Sequence, residues 1–153
     1  MRVALSADHA GAVLKAELLQ RLAMEAPEHS YVDLGGDGSD LLDDYPDFAR
    51  RLGHAIRDGE ADRGILICGS GVGASVAANK IRGVRAAVCH DTYSAHQGVE
   101  HDDMNVLVLG ARVVGVEPAV EGAVAFLGAR FSGEARHVRR LNKVLEIEAE
   151  EAT

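Results

Sequence analysis

Five short apolar runs alternate along this chain with segments of helical periodicity, and that alternation limits the fold more than any other feature. The runs are Arg2–Ala7, His29–Leu34, Ile65–Cys68, Arg85–Cys89 and Val106–Leu109. Between the first two, Val13, Leu14, Leu18, Leu19 and Leu22 recur at helical spacing, and Pro27 stops the helix. Pro46 suits a first helical position, with Phe48, Leu52, Ala55 and Ile56 as the apolar stripe up to Gly59. A third helix is expected from about Ala74 to Arg82, with Lys80 and Arg82 at its carboxyl end and Gly83 as its stop. His90-Asp91-Thr92 reads as a cap into a short helix, Tyr93–Val99, followed by a polar turn from Glu100 to Asn105. Helices are further expected over Glu117–Leu127 and from about residue 134 to 150, with a frayed acidic end. Strands alternating with helices imply an α/β, three-layer Rossmann-like (flavodoxin-like) fold, a five-stranded parallel sheet with helices on both faces. Such sheets hold their ligands beyond the carboxyl ends of the strands.

No repeat, linker or low-complexity tract divides the 153 residues, so one domain, 1–153, is expected. The chain opens directly on a strand-like segment, which argues against a signal peptide. Two cysteines without a disulfide framework fit a reducing, cytoplasmic setting. The formal net charge of −8 disfavours nucleic acid or an anionic membrane as partner. A small anionic ligand would need a local basic cluster, and the last helix has one. Arg130, Arg136, Arg139, Arg140 and Lys143 face a single acid, Glu134, and Arg136 and Arg140 share a helix face. A solvated charged face is the plain reading of such a run. Paired guanidinium groups also suit a phosphate.

After the third strand come Gly69, Gly71 and Gly73 at alternate positions, with Ser70 between the first two. A glycine loop opening a helix exposes backbone N–H groups to an anion. A tight β-to-α turn explains the glycines alone equally well. Cys68 stands at the lip of this loop. Most free cysteines are small buried hydrophobes. A thiol at a strand end beside a helix N-terminus is instead placed for a lowered pKa and chemistry. Asp8 and His9 follow the first strand, His90 and Asp91 the fourth, and Arg112 the fifth; His101 lies in the turn before the fifth. Asp8 and His9 read equally well as capping residues, and Arg112 as structural. Of the other histidines, His29, His54 and His96 read as surface residues, and His137 has no strand-end argument.

A metal centre is the obvious rival, built from His90, His96, His101, Asp91, Asp102 and Asp103. Their spacing matches no established zinc pattern. Gly69-Ser70-Gly71 lacks the serine-hydrolase elbow. A nicotinamide dehydrogenase would carry its glycine loop after the first strand, with different spacing.

Several stretches together resemble the ribose-5-phosphate isomerase B family, which also holds galactose-6-phosphate and allose-6-phosphate isomerases. They are Asp8-His9-Ala10-Gly11, Asp44-Tyr45-Pro46, Ile65 through Gly73, Ala77-Ala78-Asn79-Lys80, Tyr93-Ser94-Ala95, His101 with Asp103 and Asn105, Gly110 through Gly115, and Arg136-His137 with Arg140. The resemblance implies an aldose–ketose isomerase using neither metal nor cofactor, acting through a cis-enediolate. It implies Cys68 as general base, Ser70 as proton relay and His101 as the group that opens the sugar ring. Asp8 would bind sugar hydroxyls, and His9, Arg112, Arg136 and Arg140 the phosphate. Tyr45, Gly69, Gly71, Val72, Gly73 and Asp102 would line the substrate. The family usually has Asn where this chain has Asp102, which bears on substrate choice. The resemblance also implies at least a homodimer with sites shared between subunits. The expected substrate pair is D-ribose 5-phosphate and D-ribulose 5-phosphate. Another aldose phosphate of four or six carbons stays open, as does a non-catalytic phosphosugar-binding module.

Overall fold

The computed structural model describes residues 1–151. Eleven elements follow one another as β1 (Arg2–Ala7), α1 (Ala12–Glu25), β2 (Ser30–Asp33), α2 (Tyr45–Arg57), β3 (Arg63–Cys68), α3 (Val72–Ala78), β4 (Ala86–Val88), α4 (Thr92–Asp102), β5 (Val106–Gly110), α5 (Val116–Gly128) and α6 (Ala135–Glu151). All strand pairs are parallel, in the order β2-β1-β3-β5-β4. The architecture is the expected three-layer α/β sandwich. Its last two strands are exchanged relative to the 2-1-3-4-5 flavodoxin order. Burial explains the exchange: β5 is apolar and buried at every position, as a central strand must be, whereas β4 has three half-buried residues.

Alternation along the strands sorts the core. Val3, Leu5, Ile65, Ile67, Leu107 and Leu109 meet Leu14, Leu18 and Leu22 of α1, Val99 of α4 and Phe126 of α5. On the other face Leu66, Cys68, Val106 and Val108 meet Ala49 and Leu52 of α2 and Ala74 and Ala78 of α3. Gly64 lies where a Cβ would come within 2.5 Å of Leu52, so α2 seats on bare backbone there.

Two asparagines pin the edge strand. Asn79 accepts the Ala86 N–H (2.9 Å) and donates to the carbonyls of Ala86 (2.8 Å) and Ser75 (3.0 Å). Asn105 accepts the Arg85 N–H (2.8 Å) and donates to the Gly83 carbonyl (2.8 Å). The first clasp ends α3 at Ala78, so Lys80 and Arg82 lie beyond the helix expected to contain them. In the other direction α4 runs on through the stretch expected as a polar turn. An αL closure ends it, with Asp103 N–H on the Val99 carbonyl at 3.1 Å and Met104 N–H on the Gly98 carbonyl at 3.1 Å. Asp103 takes the left-handed conformation usually left to glycine (φ 50°), and Arg85 grips its carbonyl and carboxylate, each at 2.7 Å. His101 therefore sits in the last turn of a helix.

The final helix is different in kind. Among the residues of α6 only His137 is buried, and Val144, Leu145 and Ile147 line an open groove with Ala86 and Ala87 of β4. The expected fraying concerns an acidic end that is helical through Glu151; the two residues beyond lie outside the described residues. No described helix is long and apolar enough to cross a membrane.

Candidate active site

The carboxyl ends of β1, β3 and β5 converge on one crevice, because Ala7 pairs with Ile67 and Cys68 with Gly110. Cys68 is the last residue of β3 and is 5% exposed. Its Sγ accepts the Gly71 N–H at 3.1 Å. The Cys68 and Gly69 carbonyls are taken by the N–H groups of Ala111 (2.8 Å) and Arg112 (3.0 Å), so the loop is tied back to β5 through its acceptors. Its donors stand at the opening turn of α3, where a helix cannot satisfy them internally. Ser70 is exposed, and its Oγ accepts the Val72 N–H at 3.3 Å. Gly71 caps α3 with φ 85°, a conformation that glycine alone adopts without strain. At Gly73 a Cβ would meet the Tyr45 ring at 2.7 Å, so that glycine lets Tyr45 lie across the loop.

Asp8 closes the crevice from β1. It is 7% exposed and its Oδ1 accepts the Gly11 N–H at 3.1 Å, while Oδ2 has no protein partner among the described residues. His9 is held by Asp43, whose Oδ1 meets its backbone N–H at 3.1 Å and its Nδ1 at 2.6 Å. In the sequence Asp43 is only one aspartate of an acidic loop. Its neighbours serve the loop itself: Asp37 and Asp40 accept the N–H groups of Ser39 and Leu42, each at 2.9 Å. The Ser39 contacts hold the Asp37 carboxyl below its ordinary range. Arg112 reaches over Gly69, its guanidinium 3.5 Å from where a Cβ would stand. The structure thus gathers Asp8, His9, Tyr45, Cys68, Gly69, Ser70, Gly71, Val72, Gly73 and Arg112.

His101, Asp102, Arg136 and Arg140 are elsewhere. The 11 residues of α4 carry the chain back to the amino-terminal edge of the sheet, about 16 Å at 1.5 Å per residue. β5 then climbs from Val106 to the level of Cys68, roughly 13 Å at 3.3 Å per residue. Within one chain Cys68 and His101 stand at opposite ends of the sheet. The lower group is organised in its own right. The His101 ring stacks on that of His137, centroids 4.0 Å apart and planes 25° apart. Gln97 Nε2 lies 2.8 Å from His101 Nδ1, and His137 Nδ1 lies 2.6 Å from Ser132 Oγ. Burial first, then His101, pushes the His137 imidazole below its ordinary pKa. Arg136 is exposed and pairs with Glu134 at 2.8 Å, which holds that carboxyl low. Asp102 is exposed beside His101.

The remaining strand-end residues prove structural. Asp91 caps α4 through the Ser94 N–H (2.7 Å), and His90 Nε2 accepts the Gly110 N–H (2.9 Å). No group of three or more His, Cys, Asp or Glu side chains able to hold a metal occurs among the described residues. His96 is exposed as expected, but the His29 side chain is only 10% exposed and packs edge-on against Tyr31.

Residues 3–144 match the protein family described as ribose/galactose isomerase. Ribose-5-phosphate isomerase B of Escherichia coli is 44% identical over 147 residues, 96% of each chain. The D-erythrulose-4-phosphate isomerase of Pectobacterium atrosepticum is 43% identical over 136 residues, 87% of this chain and 86% of that one. Among solved structures, ribose-5-phosphate isomerase B from Mycoplasma genitalium with bound ribulose-5-phosphate superposes with a TM-score of 0.89 at 38% identity, covering 97% of both chains.

Proposed function

The chain belongs to the ribose/galactose isomerase family, and from that premise we propose that it interconverts D-ribose 5-phosphate and D-ribulose 5-phosphate through a cis-enediolate, with Cys68 as general base. The observation that carries the chemistry is the Cys68 thiol at a strand end, its sulfur accepting a loop N–H, with Asp8 and Arg112 around the same crevice. Closed ribose 5-phosphate would first open when His101 gives its Nε2 proton to the ring oxygen as the C1–O4 bond breaks, and the O1 proton replaces it on His101 as the C1=O bond forms. The Cys68 thiolate then takes the C2 proton, and the electron pair forms the C1–C2 double bond. Negative charge passes to O1, where the free N–H groups around Gly69, Ser70 and Gly73 can stabilise it. Ser70 relays a proton from O2 to O1, and the Cys68 thiol returns its proton to C1, leaving the ketone at C2. Asp8 would orient the hydroxyls through Oδ2. His9, Arg112, Arg136 and Arg140 would hold the phosphate.

These roles need both ends of the sheet, which one chain cannot supply. The reading therefore includes a two-fold dimer in which one copy contributes Cys68 and its partner contributes His101, Asp102, Arg136 and Arg140. A two-fold axis makes both pairings at once. Exposed apolar side chains beside each half support it: Val72 and Val76 near the glycine loop, and Val138, Val144 and Ile147 on α6.

Relatives named for a pentose and for a tetrose phosphate keep the carbon count open. The test is kcat/KM for a panel of four-, five- and six-carbon aldose phosphates. Ribose 5-phosphate should rank first. A tetrose or hexose phosphate in that place would reassign the substrate, and turnover of none would leave a binding module.

A further inference from the structure

His137 has no part in the chemistry above, yet it is the most deeply placed side chain of α6. It is 1% exposed, and its Nε2 is shut away from solvent without a partner. An apolar residue would fill that place without stranding a polar atom. What the imidazole does make is two directional contacts, the bond to Ser132 Oγ at 2.6 Å and the stack on His101 at 4.0 Å. Ser132 is itself fixed, since its Oγ accepts the Glu134 N–H (3.1 Å) and its own N–H donates to the Glu100 carbonyl (3.0 Å). The clamp thus joins the start of α6 to the last turn of α4. On the far side of His101, Gln97 donates to Nδ1 at 2.8 Å, which leaves the ring proton on Nε2. The nearest acid to that nitrogen is Glu100, at 4.0 Å.

We propose that His137 is a positioning residue: its clamped ring fixes the plane of His101, so that Nε2 is the atom offered to the sugar ring oxygen. The assignment rests on the reading of His101 as the ring-opening group. A side chain stacked on an acid must not compete with it for charge. Burial, His101 itself and Arg136 and Arg140 all disfavour a proton on His137, with Glu134 alone opposing them. A neutral His137 gives His101 a face to rest on and puts no cation beside it.

Ring opening can be separated from the rest of the reaction. Ribose 5-phosphate binds as a closed ring. Ribulose 5-phosphate cannot close, because its phosphate occupies O5, and the aldose made from it can leave in open form. The measurement is kcat at saturation from each side for wild type, His101→Asn, His137→Ala and His137→Phe. His101→Asn should lose about 10²–10⁴-fold from the ribose side and far less from the ribulose side. His137→Ala should show the same one-sided loss at about 10- to 100-fold, the scale of a misplacement near 1 Å. His137→Phe keeps a ring face but not the Ser132 bond, and should fall between His137→Ala and wild type. Because the two directions are compared within one sample, incomplete folding cancels. A shifted α6 would displace Arg136 and Arg140 and cost both directions alike. An equal loss in both directions, or none, in His137→Ala overturns the assignment. A two-sided loss in His101→Asn overturns the ring-opening reading beneath it.

Discussion

The two ends of the sheet are built by different means. At the carboxyl end, backbone does most of the work: glycines at 69, 71 and 73 bring amides around Cys68, and β5 ties down the loop carbonyls. At the amino end, side chains do it: a stacked histidine pair, a serine clamp and a glutamine fix His101, and exposed arginines line α6. The first end resembles a site for charge developing on oxygen. The second resembles a site for handing over a proton and holding an anion. Neither is complete, and their separation by a full strand length is the reason to think of two copies.

Substitutions should divide along this line. Cys68→Ala should cost most, about 10²–10⁴-fold in turnover and equally from the aldose and ketose sides, because both pass through proton abstraction. Near-native turnover in that variant would remove the thiol from the mechanism. At the other end Arg136→Ala and Arg140→Ala should mainly raise KM, by roughly tenfold or more each, through loss of a charge-assisted contact to phosphate. Unchanged KM in both would make α6 a solvated face.

A smaller effect belongs to the amino end alone. His137 has its folded pKa pushed below the ordinary value near 6.5, so the unfolded chain binds more protons there. Stability should then fall as pH drops below about 6.5, through the window down to the depressed folded value. His101, Glu134, Arg136 and Arg140 are the charged neighbours that set that window. In urea titrations at pH 7.5 and 5.5, His137→Phe should lose less than wild type. Equal losses would mean that His137 is not held neutral.

Much of the carboxyl end was legible in the sequence, because parallel strands ending in Ala7, Cys68 and Gly110 point their next residues at one crevice by rule. The strand count and the faces of α1 and α2 were legible from periodicity alone. The strand order was not, since the placing of β5 inside β4 depends on tertiary burial rather than local pattern. The geometry around His101 was hidden for a different reason. Asp103 closes α4 from a conformation that carries no glycine to announce it, so the sequence pattern ends the helix near Val99 and leaves His101 in a turn. His137 and Asp43 left no signal, because their roles lie in contacts with residues distant in the chain or across a helix boundary.

The most direct test mixes the two lesions. Cys68→Ala and His101→Asn are made separately, and each homodimer should be nearly inactive on ribose 5-phosphate. The two are then combined under conditions that exchange subunits, with exchange confirmed by native mass spectrometry. With equal amounts and random pairing about half of the dimers are mixed, and each mixed dimer has one intact site if Cys68 works with the partner's His101. Activity should then recover to about a quarter of wild type. No recovery, with mixed dimers present, would mean that each site draws both residues from one chain, and would contradict the shared site.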